Sequence, residues 1–121
     1  PRTRGGCMGD GEHVWAAAEW VLMMRNCLVR EERGTGTERK LVLCGGIPPR
    51  LLQRPFTITF GPAPTPWGDI TLRVDHSGEQ TEVSWEGGWF DKPPPVEVRF
   101  PGAPPVVPDP DEQAVELGVN R

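Results

Sequence analysis

The sequence predicts an α+β protein: one long N-terminal α-helix followed by a small antiparallel β-sandwich. Three observations carry this. Residues Val14 to Met24 read VWAAAEWVLMM, ten apolar residues around the single charge of Glu19. After residue 40 the apolar pattern changes from near-helical spacing to strict alternation, which separates a helix from half-buried strands. The 15 glycines and 15 prolines stand between the alternating segments, where they read as turns.

The elements follow in order. Residues 1–9 are a Gly-rich approach, and Asp10 fits an N-cap whose carboxylate accepts from the amides of Glu12 or His13. Glu12 suits the positive end of the helix dipole, and Arg25 and Arg30 suit the other end. The helix is expected from Gly11 to Glu31, a length of about 30 Å. ERGTGTER, residues 32–39, stops it. LVLC, residues 41–44, is a short continuous strand, and IPPRLL, residues 47–52, is a turn leading into one helical turn.

Phe56, Ile58 and Phe60 alternate with threonines, as in a half-buried strand. GPAPTPWG, residues 61–68, reads as a loop, since no central strand tolerates its prolines. Ile70, Leu72 and Val74 form the next strand, and Val83 and Trp85 the one after it. DHSGEQ between them is a hairpin turn. Val96, Val98 and Phe100 close the set. DPDEQAVELG fits either a short helix capped by Asp109 or Asp111, or a loosely ordered end. The expected division is a helix with its preceding loop over 1–36, a sandwich over 37–108 and an acidic tail over 109–121.

Composition bounds the function. The net charge of −4 and the absence of a basic run argue against nucleic acid as a partner. No apolar stretch is long enough for a transmembrane helix, so no membrane partner is expected. Cys7, Cys27 and Cys44 are odd in number and widely spaced, with no zinc pattern. They read as free thiols in a reducing, cytoplasmic location. No metal and no cofactor is expected.

The candidate chemistry is sparse. GDGEH, residues 9–13, is the densest polar cluster. Asp10, Glu12 and His13 either face a pocket at the helix N-terminus, where free amides attract anions or sugar hydroxyls, or else cap the helix and meet water. Glu19 calls for a partner or a polar cavity, because a buried lone charge is costly. Five tryptophans offer faces for stacking on sugars. Trp15, Trp20 and Trp85 also suit a core, while Trp67 and Trp89 sit in turn-like surroundings. PAPTP and PPP read as rigid loops or polyproline ligands.

Taken together, GDGEHVWAAAEWVLMMRNCLVREE, LVLCGGIPPRLL, FTITFGPAPTPWGDITLRVD and PPPVEVRFPGAPPV, in this order, resemble the C-terminal end of bacterial (α/α)6-toroid glycoside hydrolases. These are the six-hairpin glycosidases, including the α-rhamnosidase-like group. The resemblance rests on the turn from Gly46 to Leu51 and the T-P-x-G loop from Thr65 to Gly68, and covers about residues 5–108. It implies a late toroid helix leading into an accessory β-sandwich. It also implies that Asp10, Glu12, His13 and Trp15 are substrate-pocket residues near the sugar-binding mouth. Most of that pocket, with the decisive acid and base, would come from helices outside this chain. The expected partner is the remainder of a toroid, or another chain, packed on Val14–Leu28. Two other readings stand beside it. A free-standing module binding carbohydrate or protein predicts exposed Trp67 and Trp89. A structural subunit predicts association through the apolar helix.

Overall fold

The computed structural model describes residues 14–34 and 38–119, with the side chain of Trp15 excepted. The helix α1, Val14–Leu28, leads directly into strand β1, Val29–Arg33. Strand β2 is Arg39–Leu43, followed by a single 3-10 turn over Pro49–Gln53. Strands β3, Phe56–Thr65, β4, Gly68–His76, and β5, Gln80–Trp89, form a meander. Strands β6, Val96–Val98, and β7, Ala114–Gly118, complete the molecule.

The strands form two sheets, ordered β1-β2-β6 and β3-β4-β5-β7. All pairs are antiparallel except β2 with β6, which run parallel. The expected α+β class holds, with two sheets enclosing one core. Its layers follow from alternation, because a period of two sends every second side chain inward. Across the larger sheet, Ile58, Val74, Val83 and Val115 form one register row and Phe60, Leu72 and Trp85 another. Opposite them stand Val29, Leu41, Leu43, Val96 and Val98 from the smaller sheet, in the same buried cluster.

Three expectations are corrected. The helix ends at Leu28, not Glu31, and Val29 begins a strand. Val29 is fully buried, and in VREER the outward Arg30 and Glu32 alternate with the inward side of β1. The segment DPDEQAVELG is neither a helix nor a loose end. Asp109 and Glu112 form a turn through the Glu112 amide, and Ala114–Gly118 pairs with β5 along its open edge. Burial of Leu117 and Val119 holds it there. Both strands therefore belong to the sandwich, although β1 starts within 1–36 and β7 lies within 109–121.

The third correction concerns GPAPTPWG. Its first half is not a loop but the second part of β3, which continues to Thr65 past a register shift between Phe60 and Ala63. The prolines are tolerated because β3 is an edge strand. Thr65 to Gly68 is the turn itself: the Thr65 hydroxyl donates to the Gly68 carbonyl at 2.6 Å and accepts from the Trp67 amide at 3.1 Å. Gly68 has φ +129°, and a Cβ there would meet the Gly88 carbonyl oxygen at 2.2 Å.

The helix stands on the sandwich by its last turn. The Cys44 amide donates to the Leu28 carbonyl at 2.8 Å and the Gly46 amide to the Cys27 carbonyl at 2.9 Å. Two carbonyls that a helix C-terminus leaves without partners are thereby satisfied. Gly46 permits this, since a Cβ would lie 2.6 Å from the Cys27 Cα. Arg25 adds a clamp. Its guanidinium makes two hydrogen bonds to Glu31, at 2.7 and 3.1 Å, and reaches the Pro64 carbonyl on the other sheet at 2.8 Å.

Candidate functional site

Asp10, Glu12 and His13 lie outside the described residues, as does the side chain of Trp15. Of the expected pocket, only the helix behind it is in view. Trp20 is 59% exposed and Met23 60% exposed, with Val21, Leu22 and Met24 also open. The expectation that Trp20 packs in a core is not met within this chain. Between this face and the proline end of β3 runs a groove of about 960 Å³, lined by Trp20, Leu28, Phe60 and Pro62 among others. Its walls are almost wholly apolar. Glu19 lies on the exposed side of the helix and interacts with a neighbour, so it is not a buried lone charge.

A second groove, of about 830 Å³, opens at the far end of β5. Its floor is Trp85 and Trp89, four residues apart and therefore on one face of the strand. Trp85 is buried, and its amide donates to the Gln113 carbonyl at 2.9 Å, which ties the floor to the approach of β7. Trp89 is half-buried and packs against Gly87: a Cβ at position 87 would be 1.9 Å from the indole Cε2. One wall is the run Pro93–Pro95, and the other carries Pro108 and Pro110. Four acids, Glu38, Asp109, Asp111 and Glu112, and two bases, Arg39 and Lys92, also line it, exposed.

Trp67 is placed differently. It is half-buried against the core, and its carbonyl accepts from the Phe90 amide at 2.9 Å. It is part of the turn between β3 and β4.

Two further polar groups are structural. On the outer face of the smaller sheet, Arg99 makes two hydrogen bonds of 2.8 Å to Glu32 and a third to Glu97. Arg30 also pairs with Glu32, and Lys40 with Glu97. The hydrogen bonds from Arg99 and Arg30 pull the Glu32 carboxyl down to about 2, and those from Lys40 and Arg99 lower Glu97. Every acid in this ladder is answered by a base, so it binds β1, β2 and β6 together and offers no free acid for catalysis.

His76 is buried in the core. Its Nε2 lies 3.1 Å from the Leu52 carbonyl and its Nδ1 lies 2.7 Å from the Thr81 hydroxyl. A carbonyl only accepts, so Nε2 carries the hydrogen and Nδ1 accepts from Thr81. The rings of Phe56 and Phe100 flank it at 5.1 and 6.1 Å. The imidazole thus fastens the 3-10 turn to the hairpin between β4 and β5.

No family model, curated protein or solved structure matches this chain. Among the described residues, no group of three or more His, Cys, Asp or Glu side chains is placed to hold a metal ion. No described helix is long and apolar enough to cross a membrane. Burial pushes the Cys44 thiol up to about 12, which makes it an inert core residue and not a nucleophile.

Sequence reasoning placed Trp85 in the core, which holds. It passed over the groove because the residues come from four separated segments. The only local signal is the pair of glycines before Trp89, which interrupts a clean alternation and leaves room for a large ring.

Proposed function

We propose that the chain is the C-terminal portion of a carbohydrate-active, glycoside hydrolase-like protein. In this reading α1 completes an (α/α)6 toroid and the sandwich braces it from outside. The observation that supports it is the apolar face of α1. The side chains of Val14 and of residues 16–24 are exposed, while the last turn is fixed by Gly46, Cys44 and Arg25. A helix held rigidly at one end and apolar along its free length is shaped to receive neighbouring helices. The groove beside Pro62 gives a second helix a place to lie. Placement of Gly9–His13 at the sugar-binding mouth belongs to the same proposal, with Asp10, Glu12, His13 and Trp15 lining the pocket.

The test is expression of the coding sequence upstream of Pro1 in one piece with these residues. The expected product is rich in helix, releases sugar from glycosides, and shows Trp20 emission shifted to the blue relative to the chain alone. Leu22→Glu is expected to destabilise that product by about 2–5 kcal/mol, the range for losing a buried leucine. In the isolated chain the same change is expected to move stability by no more than about 0.5 kcal/mol. A longer product in which Trp20 stays in water would end this reading.

The same exposed face supports a structural subunit that pairs through α1 with another chain. Light scattering on the isolated chain separates the two: a stable dimer that Leu22→Glu dissolves favours the subunit.

A further inference from the structure

We propose that the groove over Trp85 and Trp89 is a binding site for a neutral oligosaccharide. The proposal shares only its ligand class with the toroid reading and stands on different residues. The first argument is the platform. The Trp89 indole is laid on Gly87, where a Cβ would come within 1.9 Å of the ring. The ring is thereby seated against the Gly87 backbone, which restricts its position before any ligand arrives. Preorganised aromatic surface of this kind binds with little loss of side-chain freedom.

The second argument is the walls. Pro93, Pro95, Pro108 and Pro110 have no amide hydrogen and little freedom, so they shape the groove without competing for hydrogen bonds. The third is the rim. Glu38, Asp109, Asp111 and Glu112 accept only, Arg39 and Lys92 donate only, and all six are exposed. A ligand that satisfies both kinds must donate and accept from neighbouring atoms. Sugar hydroxyls do both, and the C–H face of a pyranose covers an indole. A proline-rich basic peptide would use the tryptophans and the acids but would set its own cations against Arg39 and Lys92. The volume of about 830 Å³ lies within the usual range of small-ligand sites, about 300–1,000 Å³, and exceeds what one sugar ring fills.

The test is calorimetric titration of the 121-residue chain with cellohexaose, xylohexaose and maltohexaose, and with a proline-rich peptide carrying arginines. At least one hexasaccharide is expected to saturate the chain. Trp89→Ala is expected to weaken that binding by about tenfold or more. Gly87→Ala, which displaces the ring without removing it, is expected to weaken it comparably. Asp111→Asn is an exposed change that leaves the fold intact and is expected to weaken binding severalfold. Circular dichroism confirms that each variant is folded. The proposal is overturned if no hexasaccharide binds the folded chain, if binding is indifferent to both Trp89→Ala and Asp111→Asn, or if the peptide alone binds through Trp89. None of these results bears on whether α1 packs in a toroid, which is read from Trp20.

Discussion

Gly46→Ala tests the joint between helix and sandwich. The added Cβ would lie 2.6 Å from the Cys27 Cα, 3.0 Å from its Cβ and 3.1 Å from its sulfur. The first of these is backbone and cannot swing aside. The helix end must therefore lift from the turn. Overpacking of this kind costs about 1–3 kcal/mol. Lifting also lengthens the bonds from Gly46 to Cys27 and from Cys44 to Leu28, each worth about 0.5–1.5 kcal/mol. A loss of about 2–4 kcal/mol is expected, part of each effect being shared. For a chain of this size that lowers the melting temperature by roughly 6–15 °C. Urea unfolding followed by far-ultraviolet circular dichroism and by tryptophan fluorescence measures it. The helical signal should weaken before the sandwich unfolds. A variant within about 0.5 kcal/mol of the parent, with both probes coincident, would refute the argument that the close approach at Cys27 seats the helix.

Three further outcomes are expected. Glu32 titrates lower in the folded chain than the ordinary value of 4.5, at about 2, so the ladder stabilises the fold above about pH 4.5 and that contribution fades as pH falls toward 2. Arg99→Met should flatten this acid limb in urea unfolding curves, and an unchanged limb would show that the ladder contributes nothing. Cys44, raised to about 12 and fully buried, should resist iodoacetamide in the native protein and react only in denaturant, as read by mass spectrometry of its peptide. Thr81→Val removes the hydroxyl that donates to His76 Nδ1, and the unpaired buried nitrogen should lower stability by about 1–3 kcal/mol in urea.

The sandwich was largely legible because burial writes itself as alternation. Ile70, Leu72 and Val74 point one way, and the structure buries all three. Strand β1 was not legible, because VREER follows an apolar helical run without a break and its inward Glu31 is held chiefly by Arg25 from the preceding helix. Strand β7 was misread because Asp109 and Asp111 carry the signature of a helix cap. Its strand character rests on just Val115 and Leu117 finding the edge of β5, a contact between distant parts of the chain. The turn motifs were legible for a local reason: Gly68 is needed where a Cβ has no room. The groove was not, since tryptophan in a strand reads as core until the topology shows which end of the sheet it occupies.

The position of Pro62 and Pro64 has a consequence for how this protein meets others. Both lie in the outer strand β3, directly beside the apolar groove along α1. Neither has an amide hydrogen, so this stretch of the edge cannot template a new strand. The exposed apolar side chains of α1 thus lie beside a stretch of edge backbone that is poorly able to seed a fibril. Contacts made there join surfaces, and surfaces part again without leaving a growing ribbon behind.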